Sequence, residues 1–175
     1  MTIDTEEFVS VTSRSPRYYV SAAYWDRDSL LWSLPAIAIA DGKKARNLIT
    51  YAFTTQMKNV GIHSRYIDGT VLEPGFELDE LCAPVIALDK YISLTGDSSI
   101  LNKSFIMDGL ERISGMIKEK KGECGLYETF LQPTDDFANK KYLTYDNIIL
   151  ERALSILGKY LDKEIEEDLK SLEEK

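Results

Sequence analysis

Cysteine is nearly missing from this sequence, with Cys82 and Cys124 alone. Two such residues build no disulfide framework and lack metal-ligand spacing, so both read as reduced thiols. Histidine is scarcer still. His63 is the only one, in a turn-rich stretch with no cysteine, serine or acid at motif spacing. It reads as a surface loop residue, and a Ser-His-Asp arrangement has nothing to rest on. Basic clusters are also lacking: 21 Lys and Arg stand against 29 Asp and Glu, and "KEKKGE" is short and mixed in sign. A net charge of −8 argues against nucleic acid or an anionic membrane as partner. No long hydrophobic run occurs; Leu30 to Ala40 is about half of a membrane span. No basic-then-apolar leader precedes it, so the expectation is a cytoplasmic protein without a secretory signal.

What is present suits one domain with a real core: 175 residues, 44% of them hydrophobic. Periodicity predicts an all-α chain of six helices with few strands. Residues 1–15 show no period, and 17–23 look extended. The first helix runs from about 28 or 29 to 41, with Asp28 as N-cap and Pro35 as a kink or tight first turn. It is apolar on nearly all sides and is expected to be buried all round. The second, about 43–59, carries a stripe of Ala45, Leu48, Ile49, Ala52, Phe53 and Met57, ended by Gly61. A turn-rich loop, "IHSRYIDGTVLEPGF", follows. Further helices are expected at about 77–95, 98–120, 145–161 and 163–175, with a long polar connection from 121 to 144. Short links ("DGKK", "TGDSS") join helices within a pair and long loops join pairs. Helical hairpins so arranged would gather helices one, three and five, and their preceding loops, at one end.

Three acidic clusters fall at that end. "YWDRDS" holds Asp26, Arg27 and Asp28 between aromatics and the most apolar segment. "PGFELDELCAP" holds Glu77, Asp79 and Glu80. "YETFLQPTDD" holds Glu128, Asp135 and Asp136, just before "TYDN". Each alone is also what a helix N-terminus asks for, since free amides and the macrodipole favour acids there. Trp25 and Trp32 alone read as core. Together the clusters offer paired carboxylates beside flat apolar rings, which is what glycoside hydrolysis requires. Arg27 could fork to two hydroxyls or to a carboxylate. On this reading Arg27 and Asp28 hold each other until a sugar arrives.

In order, "YWDRDSLLWSLP", "PGFELDELCAPVIALDKYISLTGD" and "FLQPTDDFANKKYLTYDN" resemble the signature blocks of glycoside hydrolase family 125. The first two are also similar to family 15 glucoamylases and to the glucosidase domain of glycogen debranching enzymes. The resemblance covers roughly 18 to 157. It implies an (α/α)6 barrel and an exo-acting, inverting, metal-independent enzyme on α-linked mannosides or glucosides, with no cofactor. It also implies that Arg27 and Asp28 bind the terminal sugar, that Trp25 shapes the wall, and that Glu77, Asp79, Tyr145 and Asn147 line the pocket. The general acid falls on Asp136, with Asp135 next; Glu128 is a rival from the glucoamylase pattern.

Six helices are half of twelve, and the general base of these families lies in the second half of the barrel. An inverting reaction needs that base roughly 6.5–9.5 Å from the acid, with a water between. The expectation is therefore a single helical domain, 1–175, forming the N-terminal half of the toroid. It would be a piece of a longer enzyme, or be completed by a second copy or a partner, or else act as a non-catalytic carbohydrate-binding or interaction half-barrel.

Overall fold

The computed structural model describes residues 9–11, 23–161, 165 and 172. The extended run expected before Ala23 and most of the sixth helix lie outside them. Of the sixth helix, Ile165 and Leu172 are described, and both are buried.

The molecule is mostly helical. A π-helical turn, Arg27–Ser33, runs into α1 (Leu34–Ala40); α2 spans Gly42–Phe53, α3 Leu78–Thr95, α4 Ser104–Lys118 and α5 Thr144–Tyr160. α1 packs on α2 and α3, α3 on α5, and α2 on α4. So α1, α3 and α5 stand side by side, with α2 and α4 behind them. The apolar stripes lie in the one core these helices share: Leu48, Ile49, Leu81, Val85, Leu88, Ile106, Leu110, Ile113 and Leu157 are all at most 1% exposed. Each such side chain contributes roughly 1.5–3 kcal/mol by leaving water.

Several boundaries differ from the sequence reading, each for a visible reason. Pro35 falls at the second position of α1 and has no N–H to donate. The chain before it widens: Leu34 N–H reaches back to the Ser29 carbonyl, and the Ser33 hydroxyl donates to the Asp28 carbonyl at 2.7 Å. Asp28 is not the N-cap; the helical turn begins one residue earlier, with Asp26 in that position. α1 is not buried all round either. Leu30, Leu34 and Ala38 are buried, but Trp32 and Ile39 are 63% and 77% exposed, because α1 has neighbours on one side only among the described residues. α2 stops at Phe53 and gives way to a 3-10 turn, Gln56–Asn59. There Arg65 Nη1 donates to the Gln56 and Asn59 carbonyls, at 3.2 and 3.3 Å.

The loop expected between the second and third helices also needs correction. The stretch read as a loop contains an antiparallel hairpin, β1 (Ile62–Arg65) and β2 (Val71–Phe76), pairing Ile62 with Phe76 and Ser64 with Glu73. Its turn is the "DG" signal: Gly69 sits at φ 76° and donates to the Tyr66 carbonyl. β1 also bridges Tyr24, and the Phe76 carbonyl accepts from Phe130 and Leu131. The hairpin thus ties the segment before α1 to the loop before α5.

Candidate functional site

Arg27 sits at the start of the π-helical turn, 2% exposed. Its Nη1 donates to Glu77 Oε2 at 2.7 Å and to Asp79 Oδ2 at 3.0 Å; its Nη2 donates to Asp135 Oδ1 at 2.8 Å. Glu77 and Asp79 come from the start of α3, and Asp135 from the loop before α5. One guanidinium therefore joins all three acidic clusters. A charge so buried is tolerable only with such partners. The expected Arg27–Asp28 pair is absent from these bonds: Asp28 is half-buried nearby, and the guanidinium turns to α3 instead. Burial raises the pKa of Asp28 and of Asp79, with Arg27 opposing in both cases.

Glu80, from the same cluster, does something the sequence did not reveal. Its carboxylate accepts from the backbone N–H of Asp26 at 2.6 Å and of Arg27 at 3.1 Å. It caps the first turn from another helix, where Asp28 was the expected cap. Asp26 is instead held by the Tyr24 hydroxyl, at 2.9 Å, and by Arg65 Nη2. Arg65 is fully buried and stacks over the Tyr24 ring. No motif pointed to Arg65; a lone arginine in a turn-rich stretch carries no period.

His63 is a correction. It is not a surface residue but 6% exposed, with Nδ1 hydrogen-bonded to Glu77 Oε1 and its ring edge-on to Trp25, centroids 5.5 Å apart. Burial disfavours its charged form, yet Glu77, then Asp135 and Glu73, outweigh that and raise its pKa. His63, Glu77 and Asp135 offer ligand atoms within 4.8 Å of one another, a cluster that could hold a cation. Arg27 already places positive charge on two of the three, which opposes a metal there.

The other expected residues divide. Trp25 is buried against His63. Tyr145 is 44% exposed, and its hydroxyl pKa is raised by burial and by Asp79. Trp32, expected as core, stands exposed with its ring 6.0 Å from the guanidinium carbon of Arg27. Asn147 is buried and committed to the backbone: its side chain accepts from Tyr127 N–H at 2.9 Å and donates to the Tyr127 and Leu143 carbonyls. Glu128 lies on the loop surface with Lys141 and Tyr142. Asp136 is exposed and accepts from the Thr134 hydroxyl. Asp135 has φ 67°, a left-handed conformation that costs a non-glycine residue about 1 kcal/mol or more.

Asp146, passed over between Tyr145 and Asn147, is 1% exposed, and neither carboxyl oxygen accepts a well-formed hydrogen bond from the described residues. Burial, then Asp79 and Glu77, push its pKa up to about 7. Its sequence signal was present in "TYDN", an acid in the first turn of an inner helix, but that also describes a cap.

No family model matches the sequence, and no curated protein matches it. Among solved structures the chain is similar to a metal-independent α-mannosidase from Streptococcus pneumoniae, solved as a non-productive complex with α-1,6-mannobiose. The TM-score is 0.67 at 16% identity, over 87% of this chain and 48% of that one. The likeness is one of fold, and the chain spans about half the length of that neighbour.

Proposed function

We propose that the Arg27 cluster is the terminal-sugar subsite of a glycoside hydrolase-like protein, exo-acting on α-linked mannosides or glucosides with inversion. The observation that carries this reading is the buried guanidinium that gathers carboxylates from the starts of α3 and the α5 loop beneath a partly exposed rim. Hydroxyl-rich ligands need such alternating donors and acceptors, and Trp32 and Tyr145 at the rim provide flat apolar faces. The fold shared with an α-mannosidase supports the same reading. In this scheme Arg27, Asp28, Glu77 and Asp79 bind hydroxyls. A general acid must carry a proton free to leave, and Asp135 already accepts from Arg27. We therefore assign the acid to Asp136 and give Asp135 the task of closing the cluster. If these helices are the first half of an (α/α)6 toroid, the general base belongs to the second half.

The alternative is sugar binding without turnover, which fits an Arg27 cluster whose carboxylates are already committed to the guanidinium. Incubation with α-1,6-mannobiose, α-1,6-glucobiose and maltose separates the two. Release of free sugar by the wild type and at least about a hundredfold less by Asp136→Asn is expected of the enzyme. Binding without release leaves the binder. Neither binding nor release would end both readings.

A further inference from the structure

Asp146 lies in the first turn of α5, between Tyr145 at the rim of the Arg27 cluster and Asn147, and is 1% exposed. The donors beside it are spent elsewhere. The Thr129 hydroxyl donates to the Leu131 carbonyl at 2.7 Å, and the Asn147 amide to the Tyr127 and Leu143 carbonyls at 3.1 and 3.0 Å. Arg27, the cation that acts on it, is bound to Glu77, Asp79 and Asp135. A carboxylate at this position is a buried charge without a well-formed hydrogen bond. A neutral carboxylic acid there carries its own donor.

The groups facing Asp146 come from every element packed around it. α3 presents Asp79 and Glu77, and also the Cys82 thiol, whose pKa burial, then Asp79 and Asp146, push up. α5 presents the Tyr145 hydroxyl, the turn before α1 presents Arg27, and the loop before α5 presents Thr129. Glu80 and Asp135 join the set through Arg27, and His63 of β1 joins it through Glu77. Acids outnumber bases here, and the burial of Asp146 together with Asp79 and Glu77 accounts for its pKa of about 7.

We propose that Asp146 is a proton-holding positioning residue of the Arg27 site, so that a sugar is bound together with the Asp146 proton and lost when that proton leaves. The inference rests on the sugar-subsite reading above. Ionised, Asp146 adds a negative charge behind Glu77 and Asp79 with no path to water, and the three then compete for one guanidinium. The carboxylates can no longer keep the arrangement that meets a ligand's hydroxyls. A sugar lying across Trp32 and Tyr145 also displaces water from the rim, which disfavours the charged form further. Such coupling is reciprocal: the proton favours the sugar as much as the sugar favours the proton. Because the bound state raises the pKa, affinity is highest below about pH 6 and falls as pH rises through 7. His63 acts in the same direction, since losing its proton removes a positive charge beside Glu77.

Calorimetric titration of α-1,6-mannobiose and α-1,6-glucobiose at pH 6, 7.5 and 8.5, in buffers of different ionisation enthalpy, tests this. For the disaccharide that binds, wild-type affinity should fall at least about fivefold between the lowest and highest pH, with uptake of a fraction of a proton at pH 7.5. Asp146→Asn cannot ionise, so its affinity should change by less than about twofold across the range, with no proton taken up. Carbon NMR of the wild-type Asp146 carboxyl reads the same coupling if the variant folds poorly: its midpoint near 7 should move up when the disaccharide is added. A sugar bound equally at all three pH values, a slope that survives in Asp146→Asn and so belongs to His63, or a carboxyl midpoint that the sugar leaves in place overturns the inference and leaves the subsite standing. No sugar bound at any of these pH values overturns both.

Discussion

A single carboxyl illustrates how the site is poised. Asp146 stands behind Asp79 and Glu77 with no well-formed hydrogen bond, and its pKa is about 7 in the fold against 3.8 for an ordinary aspartate. The folded protein therefore binds a proton that the unfolded chain has already released between about pH 4 and 7. Stability should fall as pH rises through that window, by up to about 1.4 kcal/mol per unit from this group, and level off above it. Asp146→Asn cannot ionise. Urea denaturation at pH 5 and pH 8 should show the wild type losing stability at the higher pH and the variant losing markedly less. A variant with the same loss would mean that another group sets the slope.

At the scale of elements, the site depends on close approach between neighbours. α2 and α4 meet at Gly109, where a Cβ would stand 2.6 Å from Phe53 Cδ1 and 3.1 Å from Met57 Cε. Gly109→Val is expected to destabilise by roughly 1–3 kcal/mol through overpacking, read as a lower urea midpoint. Glu80 is the other such joint, since its two oxygens cap the turn before α1 from α3. Glu80→Ala leaves two backbone N–H groups and the buried Arg65 short of an acceptor, and should cost about 3–5 kcal/mol. Glu80→Gln keeps one acceptor oxygen and should cost less. Equal stability for both variants would show that the cap does not matter.

For the whole molecule, the notable surface is the uncovered side of α1. Ile39 is 77% exposed beside half-exposed Pro35 and Ile37, and Ile148 of α5 is 60% exposed. Such apolar surface promotes association. Sedimentation at rising concentration should show self-association in the wild type, and Ile39→Glu should weaken it without changing the unfolding free energy by more than about 0.5 kcal/mol. A concentration-independent monomer would remove this face as a cause.

The stripes of α2, α3 and α4 were legible because helical period and burial are local properties of a chain: Leu48, Leu81 and Ile113 each lie at the core. So was the gathering of three acidic clusters, because hairpins with alternating loop lengths bring the starts of α1, α3 and α5 to one end. What the sequence could not contain was which acid meets which base. Arg27 prefers Glu77, Asp79 and Asp135 to its neighbour Asp28, and His63 is drawn inward by Glu77, because a buried charge takes the partner that packing delivers, not the one adjacent in the chain. The β1–β2 hairpin escaped for a related reason: its strands are four and six residues long, with register irregularities, and they are held by Tyr24, Phe130 and Leu131 from distant segments. Strand pairing is a long-range property of the folded chain.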